Sequence, residues 1–152
     1  MKLSAQEEYG LRCLIQVARR APTAGCTPVA IREVAEAEGL SLDYAAKLLR
    51  VLRQGELLES ERGACGGYRL ARPAASIAMT EVMKALDTPM FAGDFCESHA
   101  GQRDSCVHAG GGCAMRPLWR EIEAAVYQVL ARRTLADLLV ESEPVRIAAA
   151  GG

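Results

Sequence analysis

The sequence lacks the segments that would place it in a membrane or outside the cell. No apolar run approaches the ~18 residues of a membrane span, and two glutamates follow the amino terminus before an apolar leader could form. We therefore expect a cytoplasmic protein without a membrane partner, in which thiols stay reduced. Its six cysteines then predict no disulfide framework.

The sequence also lacks the usual signatures of an enzyme. It has only two histidines, no CxxC pair, no phosphate-binding glycine loop and no supported Ser/His/Asp arrangement. A thiol oxidoreductase acting through its cysteines is therefore the least favoured reading, and we predict that the protein is not an enzyme.

Charge is nearly balanced over the whole chain but not along it. The formal net charge is −1; residues 1–72 carry eleven Lys or Arg against nine Asp or Glu, and residues 73–152 carry seven against ten. This weak asymmetry favours an anionic partner for the first half.

Three helices are predicted in the first half. "SAQE" at 4–7 is a capping box that starts a helix running to about Ala21. A second helix is expected over 28–37, ended by Gly39, and a third over 42–54, capped by Ser41 and ended by Gly55. The short turn "EGLS" between the last two is typical of a helix-turn-helix.

The third helix presents a polar face that suits DNA. Helical periodicity places Asp43, Lys47, Arg50 and Gln54 opposite the apolar stripe, with Tyr44 on one flank. Such side chains can donate hydrogen bonds to phosphates and guanine edges. The same pattern also fits an ordinary solvated face.

A basic hairpin follows at once. Residues 57–62 and 68–70 read as strands around a glycine turn, "GACGG", and Arg62, Arg69 and Arg72 flank that turn. A helix-turn-helix followed by a hairpin predicts a winged helix whose wing lies along a DNA backbone or enters a minor groove. The wing glycines would permit positive φ and a close approach to a groove wall.

The second half holds a loop and a long helix. A short helix is predicted from Thr80 to Leu86, and residues 87–114 have no periodicity but include three cysteines. An apolar stripe then predicts a helix over 115–133, and Thr134 caps a last short one. The long helix either folds back on the first helix or pairs with its copy in a second subunit. We favour the dimer because twofold symmetry matches palindromic half-sites in double-stranded DNA.

The predicted architecture is mainly α with a small β-hairpin wing. A winged helix-turn-helix domain occupies residues 1–76. Residues 77–139 contain the short helix, the cysteine-rich loop (87–114) and the dimerisation helix, and residues 140–152 form a disordered tail.

The order of these parts resembles the family of dimeric winged-helix repressors that includes IscR, NsrR and CymR. The resemblance covers residues 1–139, and its most specific pieces are "GGYRLAR" and "TLADLL". It implies a homodimeric repressor that binds a palindromic operator. The implied DNA-binding residues are Ser41, Tyr44, Lys47, Arg50, Arg62, Gly66, Gly67, Tyr68 and Arg69.

Many family members hold an iron–sulfur cluster on three loop cysteines, and its state sets DNA affinity. The resemblance places a 4Fe-4S or 2Fe-2S cluster on Cys96, Cys106 and Cys113, in a protein that senses redox state or nitric oxide. Thiolates are the ligands that such clusters require. The spacings of nine and six residues, and Arg116 in place of an IscR-like histidine, depart from the IscR pattern. The NsrR-like branch implies a carboxylate from the partner subunit as fourth ligand. Here that would be Glu8, because Glu7 is engaged in the capping box; His99, His108 and a small molecule are the alternatives.

Three other readings of the cysteines stay open. A cluster-free regulator of the same fold could form a disulfide between two loop thiols on oxidation. A structural zinc site on three cysteines and a histidine is a poorer interpretation, because the sequence lacks the closely spaced cysteine pair that is usual in such sites. Cys65 in the wing turn is either inert or a second redox site, whereas Cys13 and Cys26 are expected to be buried and inert.

Overall fold

The computed structural model describes residues 4–22, 27–86, 106–108 and 110–141. Its helices are α1 (Ala5–Arg20), α2 (Ile31–Glu38), α3 (Leu42–Gln54), α4 (Met79–Leu86), α5 (Met115–Ala131) and α6 (Leu135–Glu141). Strands β1 (Leu58–Glu61) and β2 (Gly67–Leu70) form an antiparallel hairpin, and Ala74–Ser76 makes one 3-10 turn before α4. The predicted mainly helical fold with a β-hairpin wing is confirmed.

Side-chain caps set the ends of the first helices. At α1 the Glu7 amide donates to the Ser4 hydroxyl while the Ser4 amide donates to the Glu7 carboxylate, so the capping box is present. Gly39 ends α2 in the left-handed conformation at φ 65°, and the Ser41 hydroxyl accepts from the Tyr44 amide at the start of α3.

The expected start of α2 at residue 28 is wrong. The helix begins at Ile31, where the Ala30 amide donates to the Glu33 carboxylate. Val29 is extended instead, because its amide and carbonyl both bond to Tyr68 of β2, each over 2.8 Å. A long-range backbone pairing therefore overrides the local helical pattern.

The wing is joined to the helical part by that pairing. In the hairpin Leu58 lies opposite Leu70 and Glu61 opposite Gly67. Strand β1 is one residue shorter at each end than predicted, whereas β2 begins one residue earlier than predicted. A Cβ on Gly67 would lie 2.2 Å from the Val29 carbonyl oxygen, so only glycine lets β2 approach the 29–30 segment this closely. The wing is thus part of the fold.

One apolar core joins the helices to the base of the wing. Side chains with essentially no solvent exposure come from α1, α3, β2, α4 and α6: Leu14, Val17, Leu48, Leu49, Leu52, Leu70, Val82, Leu86 and Leu135. Backbone bonds from Met79 to Arg133 and from Leu135 to Ile77 attach the start of α6 beside the start of α4. Residues on both sides of position 76 therefore share this core.

Helix α5 lies outside that core. It contains no buried residue, it contacts α4, and Met115, Leu118 and Val129 are each about half exposed or more. It ends at Ala131, two residues before the predicted Arg133, and Thr134 then caps α6 by accepting from the Asp137 amide. Within the described ranges no helix is long and apolar enough to cross a membrane.

We expect Gly67→Ala to lower the free energy of unfolding by about 1–3 kcal/mol, because the new methyl group must displace the Val29 carbonyl. Gly110→Ala is the control, since nothing lies within 4 Å of its added Cβ. Urea denaturation of both variants measures the difference. Equal stability of the two would contradict the close approach of wing and helices.

Candidate DNA-reading surface and cysteine segment

The polar face of α3 is exposed as the sequence predicts. Asp43, Lys47, Arg50 and Gln54 are exposed, whereas Ala45, Leu48, Leu49 and Leu52 on the opposite side are completely buried. Since the buried stripe fixes the rotation of the helix, the two cations project away from the core. This face can donate hydrogen bonds to an anionic surface.

Two other predicted contact residues, at the amino end of α3, also have structural roles. The exposed Ser41 caps the helix with its hydroxyl. Tyr44 is half-buried, and its ring meets that of Tyr9 edge to face with centroids 6.1 Å apart. Tyr44 thereby links α3 to α1.

The predicted wing arginines fall into two groups. Arg69 donates to Glu61 over 2.7 Å, its Nε lies 3.5 Å from Glu59 without hydrogen-bond geometry, and its pKa is raised by the bond to Glu61. Arg72 pairs with Glu81 over 2.7 Å and lowers the pKa of that carboxyl. Arg62 is exposed, and the described part of the chain gives it no hydrogen-bond or ion-pair partner.

The wing glycines and Tyr68 have close contacts within the protein. A Cβ on Gly66 would meet the Glu61 carbonyl at 2.4 Å, and Gly67 and Tyr68 abut Val29. Positive φ occurs in the turn at Gly63, not at Gly66 or Gly67. The close approach is therefore internal to the protein, and a DNA contact by these three residues stays a prediction.

One exposed cation at this surface was missed from the sequence. Arg32 lies in the first turn of α2 and lines a groove of about 460 Å³ with Leu42, Arg62 and Tyr68. Its only sequence signal is its position on the exposed side of a short amphipathic helix. Arg32 and Arg62 line the same groove only because the wing folds against residues 29–30, and the sequence does not reveal that contact.

Helix α1 is tied to α2 by a charged cluster. Arg12 donates to Glu38 over 2.6 Å, Gln16 donates to the same carboxylate, and the hydrogen bond to Glu38 raises the pKa of Arg12. Arg12 therefore pairs with Glu38 and not with Glu8, the carboxylate four residues before it on α1. The Glu8 carboxylate is exposed on α1 and has no ion pair with a described residue.

The cysteine segment is described in part. Cys106 and Cys113 are half-exposed thiols, His108 is exposed, and Cys113 and His108 border a cavity of about 340 Å³ with Arg116 and Arg120. Cys96 and His99 lie outside the described residues, as does Cys26. Within the described ranges no three His, Cys, Asp or Glu side chains form a group that could hold a metal ion. The predicted three-cysteine set is thus represented by two of its members.

The remaining two described thiols differ in their surroundings. Cys13 is completely buried on α1, and desolvation raises the pKa of its thiol to about 12. Cys65 is free and exposed in the wing turn. The prediction that Cys13 is a buried thiol is confirmed.

Known proteins resemble the chain along almost its whole length. A family model described as Rrf2, an iron-dependent transcriptional regulator, matches residues 3–141. Protein rrf2 of Nitratidesulfovibrio vulgaris is 36% identical over 139 residues, covering 91% of this chain and 87% of that protein. The transcriptional regulator IscR of Vibrio atlanticus is 31% identical over 147 residues, covering 97% and 80%.

Solved structures share the fold. CymR, the global cysteine regulator of B. subtilis, aligns with a TM-score of 0.73 and 29% identity, covering 94% of this chain and 99% of that one. IscR of T. potens aligns with a TM-score of 0.72 and 28% identity, covering 97% and 93%. These are transcription regulators, in agreement with the prediction that the chain is not an enzyme.

We expect iodoacetamide at about pH 8 to alkylate Cys65 in the folded protein and to leave Cys13 unmodified until the protein unfolds. The thiolate is the nucleophile, and a pKa raised from 9.0 to about 12 leaves almost none of it at Cys13. Because the pKa of Cys13 is higher in the folded protein than in the unfolded chain, this thiol also makes the free energy of unfolding depend on pH. Its contribution to stability is complete below pH 9.0 and is lost as the pH rises towards 12. Mass spectrometry of peptides assigns the sites. Rapid modification of Cys13 in folded protein would contradict its burial.

Proposed function

The chain belongs to the Rrf2 family of transcriptional regulators, and from this we propose that it is a cytoplasmic, homodimeric repressor. It binds a palindromic operator, and an iron–sulfur cluster held by Cys96, Cys106 and Cys113 sets its affinity for that operator. The observation that carries the DNA-binding part is the exposed cationic face of α3 beside the wing.

The α3 face supports a direct reading of DNA. Lys47 and Arg50 stand on a helix whose other side is buried in the core, so the backbone that carries them is oriented before DNA arrives. A recognition helix enters the major groove, where a guanidinium can bind O6 and N7 of guanine together. The preformed geometry reduces the entropy lost on binding.

The donor chemistry of the cysteine segment fits an iron–sulfur cluster. Cys106 and Cys113 are partly exposed, and Gly111 and Gly112 between them have positive φ, so the backbone turns sharply with little steric bulk. The description of the matching family model as iron-dependent also supports this assignment. A cluster so held would supply a centre that reacts with oxidants or nitric oxide.

Glu8 of the partner subunit is our proposed fourth ligand. Two charged residues near Glu8 on α1 are bonded to other groups. The Glu7 carboxylate closes the capping box at Ser4, and the Arg12 guanidinium binds Glu38. Glu8 is therefore an exposed carboxylate without an internal ion pair among the described residues. His108, also exposed, is the competing ligand.

A cluster-free thiol switch is the second candidate function. Cys106 and Cys113 are both accessible free thiols on one short segment, and oxidation could join them or either one to Cys96. The solved relatives include an oxidised form of CymR from Staphylococcus aureus, 29% identical with a TM-score of 0.66. Iron content of the purified protein separates the two candidates.

The exposed apolar stripe of α5 supports the homodimer. Met115, Leu118 and Val129 are about half exposed or more, and Ile122 and Val126 between them are only half-buried. An unshielded stripe over four turns suits antiparallel or parallel packing against a second copy. Two copies would present two reading helices to the two halves of a palindrome.

We expect Arg50→Ala or Lys47→Ala to weaken binding to a duplex that the wild-type protein selects from a random library. A residue that makes a bidentate guanine contact should cost about 1–3 kcal/mol, with lost discrimination at that base. Gel-shift titration measures the affinity, and Arg132→Ala, an exposed cation beyond α5, is the control. Unchanged affinity in both α3 variants would contradict the winged-helix reading surface.

We expect anaerobically purified protein to be brown with bound iron, and Cys106→Ala and Cys113→Ala to be colourless. Cys65→Ala should keep its colour, because that thiol lies in the wing. Glu8→Ala should retain the cluster but lose it faster in air.

Visible absorption and iron analysis check these outcomes. A spectrum unchanged in Glu8→Ala but altered in His108→Ala would replace the carboxylate by the histidine. Colourless wild-type protein with stoichiometric zinc would overturn the cluster proposal.

A further inference from the structure

A groove separates the two helices of the helix-turn-helix from the wing. It has a volume of about 460 Å³ and is formed by the first turn of α2, the start of α3 and the facing residues of the hairpin. The groove exists because β2 is bonded to Val29, which holds the wing beside the amino ends of both helices. Its walls therefore come from three separate parts of the chain.

The free charge on these walls is positive. Arg32 of α2 and Arg62 of the wing both line the groove. Both are exposed, and neither has a hydrogen-bond or ion-pair partner among the described residues. Glu61 also lines it, but its carboxylate is held by Arg69 over 2.7 Å. The groove is thus lined by two unpaired guanidiniums and by one carboxylate that is already paired with Arg69.

An apolar side chain stands at the same place. Leu42, the first residue of α3, is 50% exposed, whereas Leu48, Leu49 and Leu52 of the same helix are completely buried. A single exposed leucine is ordinary on a protein surface. This one lies at the amino end of the reading helix, which is the end that reaches base edges in helix-turn-helix complexes.

We propose that this groove seats one DNA backbone strand between Arg32 and Arg62, and that Leu42 packs against the C5 methyl group of a thymine in the adjoining major groove. The proposal rests on the proposed function, because it needs α3 to read DNA. Guanidiniums are suited to phosphate oxygens, and an apolar contact is how a protein distinguishes the thymine methyl group. Arg32 then positions the backbone while Leu42 adds sequence preference.

The phosphate contacts are tested by the salt dependence of binding to a random-sequence duplex, which needs no operator. Each lost phosphate contact should reduce the slope of log K against log salt by about 0.9. We expect this loss in Arg32→Ala and in Arg62→Ala, recovery in Arg32→Lys, and no change in Arg132→Ala, an exposed cation beyond α5. A wild-type slope in Arg32→Ala would overturn the seat.

The methyl contact is tested by replacing each thymine of the selected duplex with deoxyuridine, which removes only the C5 methyl group. Wild-type protein should lose about three- to fivefold in affinity at one position in each half-site. Leu42→Ala should bind the thymine and uridine duplexes equally, while Val140→Ala, another exposed apolar side chain, should behave as wild type. A Leu42→Ala variant that keeps the wild-type loss of affinity at that position would overturn the role of Leu42.

Failure of DNA binding and failure of the groove give different results. Wild-type protein that binds no duplex at any salt concentration overturns the proposed function itself. Wild-type protein that binds DNA, with thermal melting unchanged in the variants but no effect of Arg32 or Leu42, overturns only the groove.

Discussion

The burial of one stripe of α3 is the constraint on which the reading surface depends. Ala45, Leu48, Leu49 and Leu52 have no exposed surface, and they pack against α1 and α4. Because helical side chains repeat every 3.6 residues, fixing this stripe leaves one rotation for the opposite face. Lys47 and Arg50 are consequently held outward by the core, and no conformational change is needed to expose them.

The wing is held to the helices by a second, backbone constraint. Tyr68 exchanges two hydrogen bonds with Val29, and the absence of a side chain at Gly67 makes this distance possible. Arg69 meanwhile ties the two wing strands together through Glu61. These contacts leave Arg62 and Arg32 unpaired within the described residues, so the same packing that closes the fold creates the positive groove.

Local signals made the order of elements predictable. Capping residues at Ser4, Ser41 and Thr134 and the glycine at position 39 act within a few residues of the chain, so the helix ends follow from the sequence. Contacts between distant segments were not predictable. Arg12 pairs with Glu38, twenty-six residues away, rather than with its helix neighbour Glu8. The bond of Val29 to the wing shortens α2, and it brings Arg32 opposite Arg62. Of the three proposed cluster cysteines, Cys96 is assigned from the sequence alone, whereas Cys106 and Cys113 are also found as partly exposed free thiols.

We propose that one molecule combines a DNA-reading surface with an iron–sulfur cluster that sets its affinity for DNA. The most direct test is the dissociation constant for the selected duplex, measured anaerobically at one salt concentration, for iron-loaded protein and for the same preparation after iron removal. We expect the two dissociation constants to differ by roughly 5- to 150-fold, the usual range of coupling between two sites. Equal affinities of the two forms, with both still dimeric, would contradict it.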